Sequence, residues 1–241
     1  MAQPVKQQQE DTFCTDKVNP QLVEQIKKTI DYKYPHQQAV YTKTKVSVTS
    51  LTKSGYVSIK KQPEFANRQG LSGMQRGTAL HKFMQYCNFN TAATDAKDEI
   101  QRMKQQQYLS PVEADSIDEE AVNTFFSGEM GQMISKAAKI YRELKFFSYG
   151  KESEEGVCLC KKGEEGFLIQ GIADCVLDMG NYMVLIDYKT DYCTNKDQLI
   201  NRYLPQLALY QQGLAQLFDK PIKKVLIYSF SLGQVIDTKI V

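Results

Sequence analysis

Asp174, Asp187 and Lys189 are the residues whose types and spacing best suit chemistry, because a turn signal lies between them. Gly180-Asn181 is a two-residue hairpin signal. If Met179 and Tyr182 close that turn, residues facing each other across the strands have numbers summing to 361. Asp174 then lies opposite Asp187 on one face, with Cβ atoms about 4.5–5.5 Å apart, where like charges repel. Lys189, two residues further, shares that face, and Ile172, Val176 and Leu185 flank the group with apolar contacts. Two acids and an amine in an apolar hairpin need compensation. One solution is a Lys–Asp ion pair with the other Asp protonated or solvated. The other is a divalent cation held by both carboxylates, with Lys189 near the reacting atom. Hard oxygen donors suit Mg²⁺ or Mn²⁺ rather than zinc. On a solvent-facing hairpin edge, all three would be ordinary surface charge.

Three further groups could complete a site. His81 sits at the border of an apolar stripe formed by Leu80, Phe83, Met84 and Cys87, where a lone histidine is ordinarily a packing residue. Glu143 alternates with Leu144 and Phe146 and points away from their apolar side. Gln206 and Tyr210 are four apart, on one helical face. His36, the other histidine, reads as surface.

The elements that must position these residues follow from periodicity. Leu22, Ile26 and Ile30 predict a short helix ending before Tyr34-Pro35. Val46 and Val48 alternate with Ser and Thr, as in an exposed strand or a helix lead-in. Residues 70–77 read as a loop preceding the His81 helix. Residues 100–109 read as helix, Ser110-Pro111 opens another, and residues 118–140 are helical in pattern with interruptions at Gly128 and Gly131. Residues 141–147, 157–160, 167–177 and 182–188 are β-rich. Pro205 suits the first position of a helix running to about Phe218. Residues 225–230 form an apolar strand, and Gly233 turns it into residues 235–240. The expectation is an α/β fold with an N-terminal helical extension. Residues 1–31 form a Gln-rich lead and short helix, partly disordered. Residues 32–140 are mainly helical, and residues 141–241 form the α/β core.

Gross features narrow the function. At 241 residues the chain can bury a core without metal or disulfide staples. No apolar run approaches the roughly 18 residues of a membrane helix, and the polar first ten residues argue against a signal peptide. Six cysteines without a CxxC pair read as reduced thiols, so a cytoplasmic setting without an iron–sulfur cluster is expected. Without a GxxxxGK[ST] loop, the chain is expected not to bind ATP by itself. The net charge of +2 conceals an asymmetry. Residues 40–82 hold eight Lys/Arg and one acid, whereas residues 83–180 hold seventeen acids and ten basic residues. Lys43, Lys45, Lys53, Lys60, Lys61, Arg68, Arg76 and Lys82 would suit a phosphate backbone. Tyr41, Tyr56 and Phe65, interleaved with them, would suit unpaired bases. A solvated flexible arm accounts equally for residues 53–61.

Asp174 followed by Asp187-Tyr188-Lys189 resembles the bipartite core of PD-(D/E)XK nucleases. The fuller context, Gly171-Ile172-Ala173-Asp174 and Leu185-Ile186-Asp187-Tyr188-Lys189-Thr190-Asp191, resembles the RecB-like branch. Within it, the chain is similar to the C-terminal nuclease domains of the AddA family of helicase–nuclease subunits. The similarity extends to Arg76-Gly77-Thr78-Ala79-Leu80-His81, Tyr141-Arg142-Glu143-Leu144 and Gln206-Leu207-Ala208-Leu209-Tyr210. It includes Tyr34-Pro35-His36 and residues 46–51, and so covers roughly residues 32–241.

This resemblance implies a restriction-endonuclease-like core with a mixed sheet flanked by helices. His81, Asp174, Asp187 and the backbone carbonyl of Tyr188 would hold Mg²⁺, with Mn²⁺ as the alternative, and Gly77 would leave room for a ligand. Lys189 would orient or deprotonate the attacking water. Glu143 would bind a second metal or steer water, and Gln206 with Tyr210 would support the site and touch the scissile strand. Arg76, Lys82, Lys43 and Lys45 would contact nucleic acid. The implied activity is metal-dependent exonucleolytic cleavage of DNA, chiefly single-stranded, in double-strand-break repair by homologous recombination. The implied partners are an AddB-like protein and a helicase portion of the same polypeptide, of which these residues would be a fragment. The scattered cysteines disfavour a stand-alone RecB-like nuclease, such as a CRISPR-associated one. The intact Asp174, Asp187 and Lys189 disfavour a catalytically silent DNA-binding or assembly module.

Overall fold

The computed structural model describes residues 19–36, 44–52, 71–153, 156–160, 164 and 166–240. The chain divides into two compact units, residues 1–43 and 44–241. In the first, α1 (Pro20–Ile30) is capped by Asn19, whose side chain accepts the Gln21 N–H, and Pro20 opens it. Its apolar stripe Leu22, Ile26 and Ile30 is exposed, and no residue of α1 is buried.

The second unit is built on a sheet in which seven strands are described: β1 (Lys45–Ser47), β2 (Lys139–Ser153), β3 (Gly156–Cys160), β4 (Phe167–Asp178), β5 (Met183–Lys189), β6 (Ile222–Ser229) and β7 (Gln234–Asp237). Their order is β3-β2-β4-β5-β6-β7, with β1 beside β4. Antiparallel pairs dominate, while β1–β4 and β5–β6 are parallel. Between β1 and β2 come α2 (Val48–Thr52), α3 (Gly73–Tyr86), α4 (Phe89–Thr94), α5 (Ala96–Gln105), α6 (Pro111–Asp115), α7 (Glu119–Ser127) and α8 (Glu129–Lys136), and α9 (Lys196–Leu217) joins β5 to β6. This is the expected mixed α/β architecture with helices flanking a sheet.

The helices cover two cores. Phe83, Met84, Ile100, Met103, Phe125 and Met130 pack against Cys175, Leu177, Ile186 and Tyr188. Leu199, Leu207, Tyr210 and Leu214 of α9 pack against Val176, Leu185, Val225 and Ile227. Alternation along β4, β5 and β6 thus feeds both faces of the sheet, which is why these strands read as nearly continuous apolar runs.

The hairpin forms in the expected register: Cys175 opposes Ile186, Val176 opposes Leu185, and the Met179 N–H donates to the Tyr182 carbonyl. Gly180, with φ of +91°, supplies the left-handed turn position. β4 is paired with β2 from Phe167 to Asp178 except at Asp174, but its other edge is shared. β5 takes residues 175–178 and β1 takes residues 168–170, leaving residues 171–174 without a strand neighbour there among the described residues.

Several boundaries differ from the sequence reading. The His81 helix starts at Gly73 rather than after Gly77, because Ser72 and Gln75 form a reciprocal capping box. Gly131 lies inside α8 and only Gly128 interrupts, while Ile140 already belongs to β2. Of the two readings of Val46 and Val48, the helix lead-in holds: Lys45–Ser47 forms a short strand and the fully buried Val48 opens α2. Pro205 does not open α9. The helix starts at Lys196 under an Asn195 cap, and the fully buried Leu199 anchors the turn ahead of the proline. The basic residues Lys43, Lys53, Lys60, Lys61 and Arg68, with Tyr41, Tyr56 and Phe65, lie outside the described residues.

One ring sets the seat of α9. Phe146 lies in a slot between Gly171 of β4 and Gly213 of α9, where an added Cβ would come within 2.1 and 2.3 Å of its ring atoms. Phe146 also meets Tyr210 edge to face, with centroids 5.4 Å apart. Gly213→Ala should therefore cost about 1–3 kcal/mol by overpacking, measured by urea denaturation. Phe146→Leu in the same chain should reverse part of that loss; no interaction between the two changes would contradict this packing account.

Candidate active site

α3 is fixed at both ends. Its capping box sets the start, and the Arg142 guanidinium of β2 donates to the carbonyls of Cys87 (2.6 Å) and Met84 (3.3 Å) at the finish. The same guanidinium lies over the Phe89 ring, 4.8 Å from its centroid. Midway, Lys82 Nζ donates to both carboxylate oxygens of Glu113. Gly77 is buried against Thr190, whose Oγ1 would lie 2.7 Å from an added Cβ. The space reserved by Gly77 is thus filled by the residue after Lys189, and α3 sits close on the end of β5. Held this way, α3 presents His81 to Asp174, with Nδ1 3.6 Å from Oδ1, and to the Tyr188 ring edge.

Asp174 is the hub. Its register position is opposite Asp187, but the ladder stops one rung earlier, at Cys175–Ile186. Asp174 Oδ2 instead accepts the backbone N–H of Tyr188 at 2.8 Å. On its other side lies Glu143, which has φ of +50° and interrupts the β2–β4 ladder between Arg142–Cys175 and Leu144–Ala173. A left-handed glutamate within a strand is strained. Here it redirects the carboxylate. Ligand atoms of His81, Glu143 and Asp174 all lie within 4.8 Å of one another.

Asp187 and Lys189 form the drier half. Their side chains are 2% and 13% exposed, against 14% for Asp174 and 30% for His81, so the site opens on the histidine side. Lys189 Nζ approaches Asp187 Oδ2 at 2.6 Å, an ion contact whose angle leaves that oxygen without a well-aligned hydrogen bond. The ammonium also lies 4.2 Å from the Tyr203 ring centroid. Burial, reinforced by the Asp174 charge, lifts the Asp187 carboxyl to about 6 despite Lys189. Burial opposes the charged form of Lys189, but Asp187 and Asp174 outweigh it and raise its pKa. Burial likewise opposes ionised Asp174. The bond and charge of His81, Lys189 and the Tyr188 N–H prevail and hold its pKa low. Glu143 is raised, first by burial and then by Asp174.

α9 closes the far wall. Tyr210 is buried, and burial together with the charges of Asp187 and Asp174 raises its hydroxyl pKa, while Gln206 beside it works in the opposite direction. The Tyr188 side chain faces the opposite core, as its alternation with Asp187 requires. The predicted residues therefore converge, with one division: Asp187 turns to Lys189, whereas Glu143 joins His81 and Asp174. Outside this cluster, Lys82 is bonded to Glu113, Lys45 lies over the Phe147 ring, and Arg76 is exposed. Sequence reasoning missed Tyr203, which donates to Asp191 and covers Lys189. Tyr203 and Tyr210 are seven apart on α9, a helical repeat concealed by starting the helix at Pro205. It also missed the capping role of Arg142, which no local pattern signals.

Residues 56–237 match the PD-(D/E)XK nuclease superfamily. The chain belongs to the PD-(D/E)XK nuclease superfamily. Among similar proteins, an ATP-dependent helicase/nuclease subunit of Oceanobacillus iheyensis is 30% identical over 232 residues, covering 86% of this chain and 19% of its own length. The ATP-dependent helicase/nuclease subunits of Ruminiclostridium cellulolyticum and Desulforamulus reducens are 29% and 28% identical. They cover 88% and 89% of this chain, and 18% and 19% of their own lengths. The chain thus spans about a fifth of the length of the curated relatives it matches. This PD-(D/E)XK chain has no described helix long and apolar enough to cross a membrane, and the five described cysteines are unpaired.

Burial alone would hold the His81 imidazole below its ordinary value, but hydrogen bonding and charge from Asp174 raise it above 6.5. In EDTA-treated protein, Asp174→Asn should reverse the direction, so that His81 titrates below 6.5. Its ¹H–¹⁵N NMR pH titration gives the check, and an unchanged midpoint would show that Asp174 does not set the charge of His81.

Proposed function

We propose that this chain is the Mg²⁺-dependent deoxyribonuclease module, residues 32–241, of a longer helicase–nuclease polypeptide. It hydrolyses phosphodiester bonds in single strands during double-strand-break repair by recombination. The observation that carries this reading is the convergence of His81, Glu143 and Asp174 within 4.8 Å beside the buried Asp187–Lys189 pair. Two carboxylates and an imidazole fit a divalent cation, and the oxygen-rich set favours Mg²⁺ or Mn²⁺. Asp174, His81 and Glu143 would hold the cation, and Asp187 and the Tyr188 carbonyl would be its further ligands. When bound, such a cation polarises the phosphoryl oxygen and lowers the pKa of a coordinated water.

The remaining work belongs to the chain. Lys189, kept charged by Asp187, orients the attacking water and offsets negative charge developing on the phosphate. The Tyr203 ring restricts where the ammonium can go. Tyr210 and Gln206 offer neutral hydrogen-bonding groups to the strand on the α9 side. Arg76 is exposed on α3 and suits a phosphate contact, as does Lys45. Lys82 would first have to leave Glu113. The names of the relatives support a helicase portion on the same polypeptide, where ATP would be used. An AddB-like partner in the cytoplasm belongs to the same proposal.

Cleavage of end-labelled single-stranded DNA provides the test. Mg²⁺ should support cleavage, and EDTA should abolish it. Asp174→Ala, Asp187→Ala and Lys189→Ala should each lower the rate by about 100-fold or more, while Asp187→Ala keeps part of the DNA affinity. Activity that survives EDTA or Asp187→Ala would overturn the mechanism. Salt-sensitive DNA binding without cleavage would favour a catalytically silent module.

A further inference from the structure

Tyr192 is the most exposed large hydrophobic side chain among the described residues, at 86%. Its neighbours are held firmly. The Asp191 carbonyl accepts the Ser231 hydroxyl at 2.7 Å, and the Asp191 carboxylate accepts the Tyr203 hydroxyl and faces Arg202. Cys193, on the other side, is buried in the α9-side core, with Sγ 4.0 Å from Ser231 Oγ. Asn195 then caps α9. An apolar ring is therefore kept in water by a braced stem. Single exposed aromatics are common on protein surfaces, so its location decides the matter.

Tyr192 follows Lys189 by three residues, which limits the separation of their Cα atoms to about 11 Å by chain reach. The two also share a support. Tyr203, which fixes Asp191, is the ring that covers the Lys189 ammonium. The Arg202 guanidinium, 40% exposed, sits beside the same loop. An aromatic face on a fixed stem next to an accessible cation is the arrangement that binds unpaired bases and their backbone without sequence preference. A base inside a duplex has both faces stacked and cannot use it.

We propose that Tyr192 is the stacking platform for a nucleobase next to the phosphate being cleaved, so that the site engages single strands in preference to duplex. This rests on the nuclease reading above and adds a binding residue to it. The chain has no tryptophan, so Tyr192→Trp introduces a sole indole reporter. With EDTA present to prevent cleavage, a mixed-sequence single-stranded oligonucleotide should quench the indole. Quenching should saturate where the anisotropy of a labelled copy saturates, and the matching duplex should quench less. With Mg²⁺, Tyr192→Ala should raise the KM for single strands about ten-fold with kcat little changed, and Tyr192→Phe should restore it. Indole emission that stays constant while anisotropy reports binding would overturn the platform and leave the nuclease reading standing. So would an unchanged KM in Tyr192→Ala. A wild-type protein that neither binds nor cleaves the oligonucleotide would overturn both.

Discussion

Two carboxylates placed opposite each other at the end of an apolar hairpin are the constraint on which the rest of the unit depends. Continuing the β4–β5 ladder by one rung would seal Asp174 against Asp187 with no counterion between them, and like charges so placed repel. The strands part there instead. Asp174 takes the Tyr188 N–H and faces His81, while Asp187 takes Lys189. One carboxylate is stabilised by cations and a backbone dipole, and the other is pushed upward by burial. The parting also shares the edge of β4 between β1 and β5, so residues 171–174 have no strand neighbour on that side among the described residues.

Supports around this pair tie each group of the candidate site to a different layer. Arg142 holds the end of α3, and its neighbour Glu143 adopts the left-handed backbone that turns a carboxylate toward Asp174. Phe146, three residues further along β2, seats α9 through two glycines and Tyr210. A single stretch of β2 thus positions the histidine helix, supplies an acid and locates the far wall. Backbone strain at Glu143 is the sort of cost that persists only where surrounding contacts enforce it.

Much of this was legible in the residues themselves. The Gly180-Asn181 turn fixed the hairpin register because only one closure puts the apolar residues of both strands on shared faces. The apolar stripe on α3 and the Ser110 cap of α6 followed from helical spacing and capping chemistry. Helix starts were less legible. Ser72-x-x-Gln75 and Asn195 each moved a helix boundary earlier than Gly or Pro suggested, because a satisfied cap and a buried Leu199 outweigh local propensity.

Sequence alone determined which residue types could act and on which strand face they lie, since side-chain alternation and turn geometry are local properties. Only the tertiary structure decided how they divide. It groups His81, Glu143 and Asp174, turns Asp187 toward Lys189, and brings Tyr203 over the ammonium. Those outcomes depend on a positive φ at Glu143, on where the ladder stops, and on how α3 and α9 seat against the sheet. Each is set by charge repulsion and packing between residues distant in sequence, which no spacing along the chain encodes.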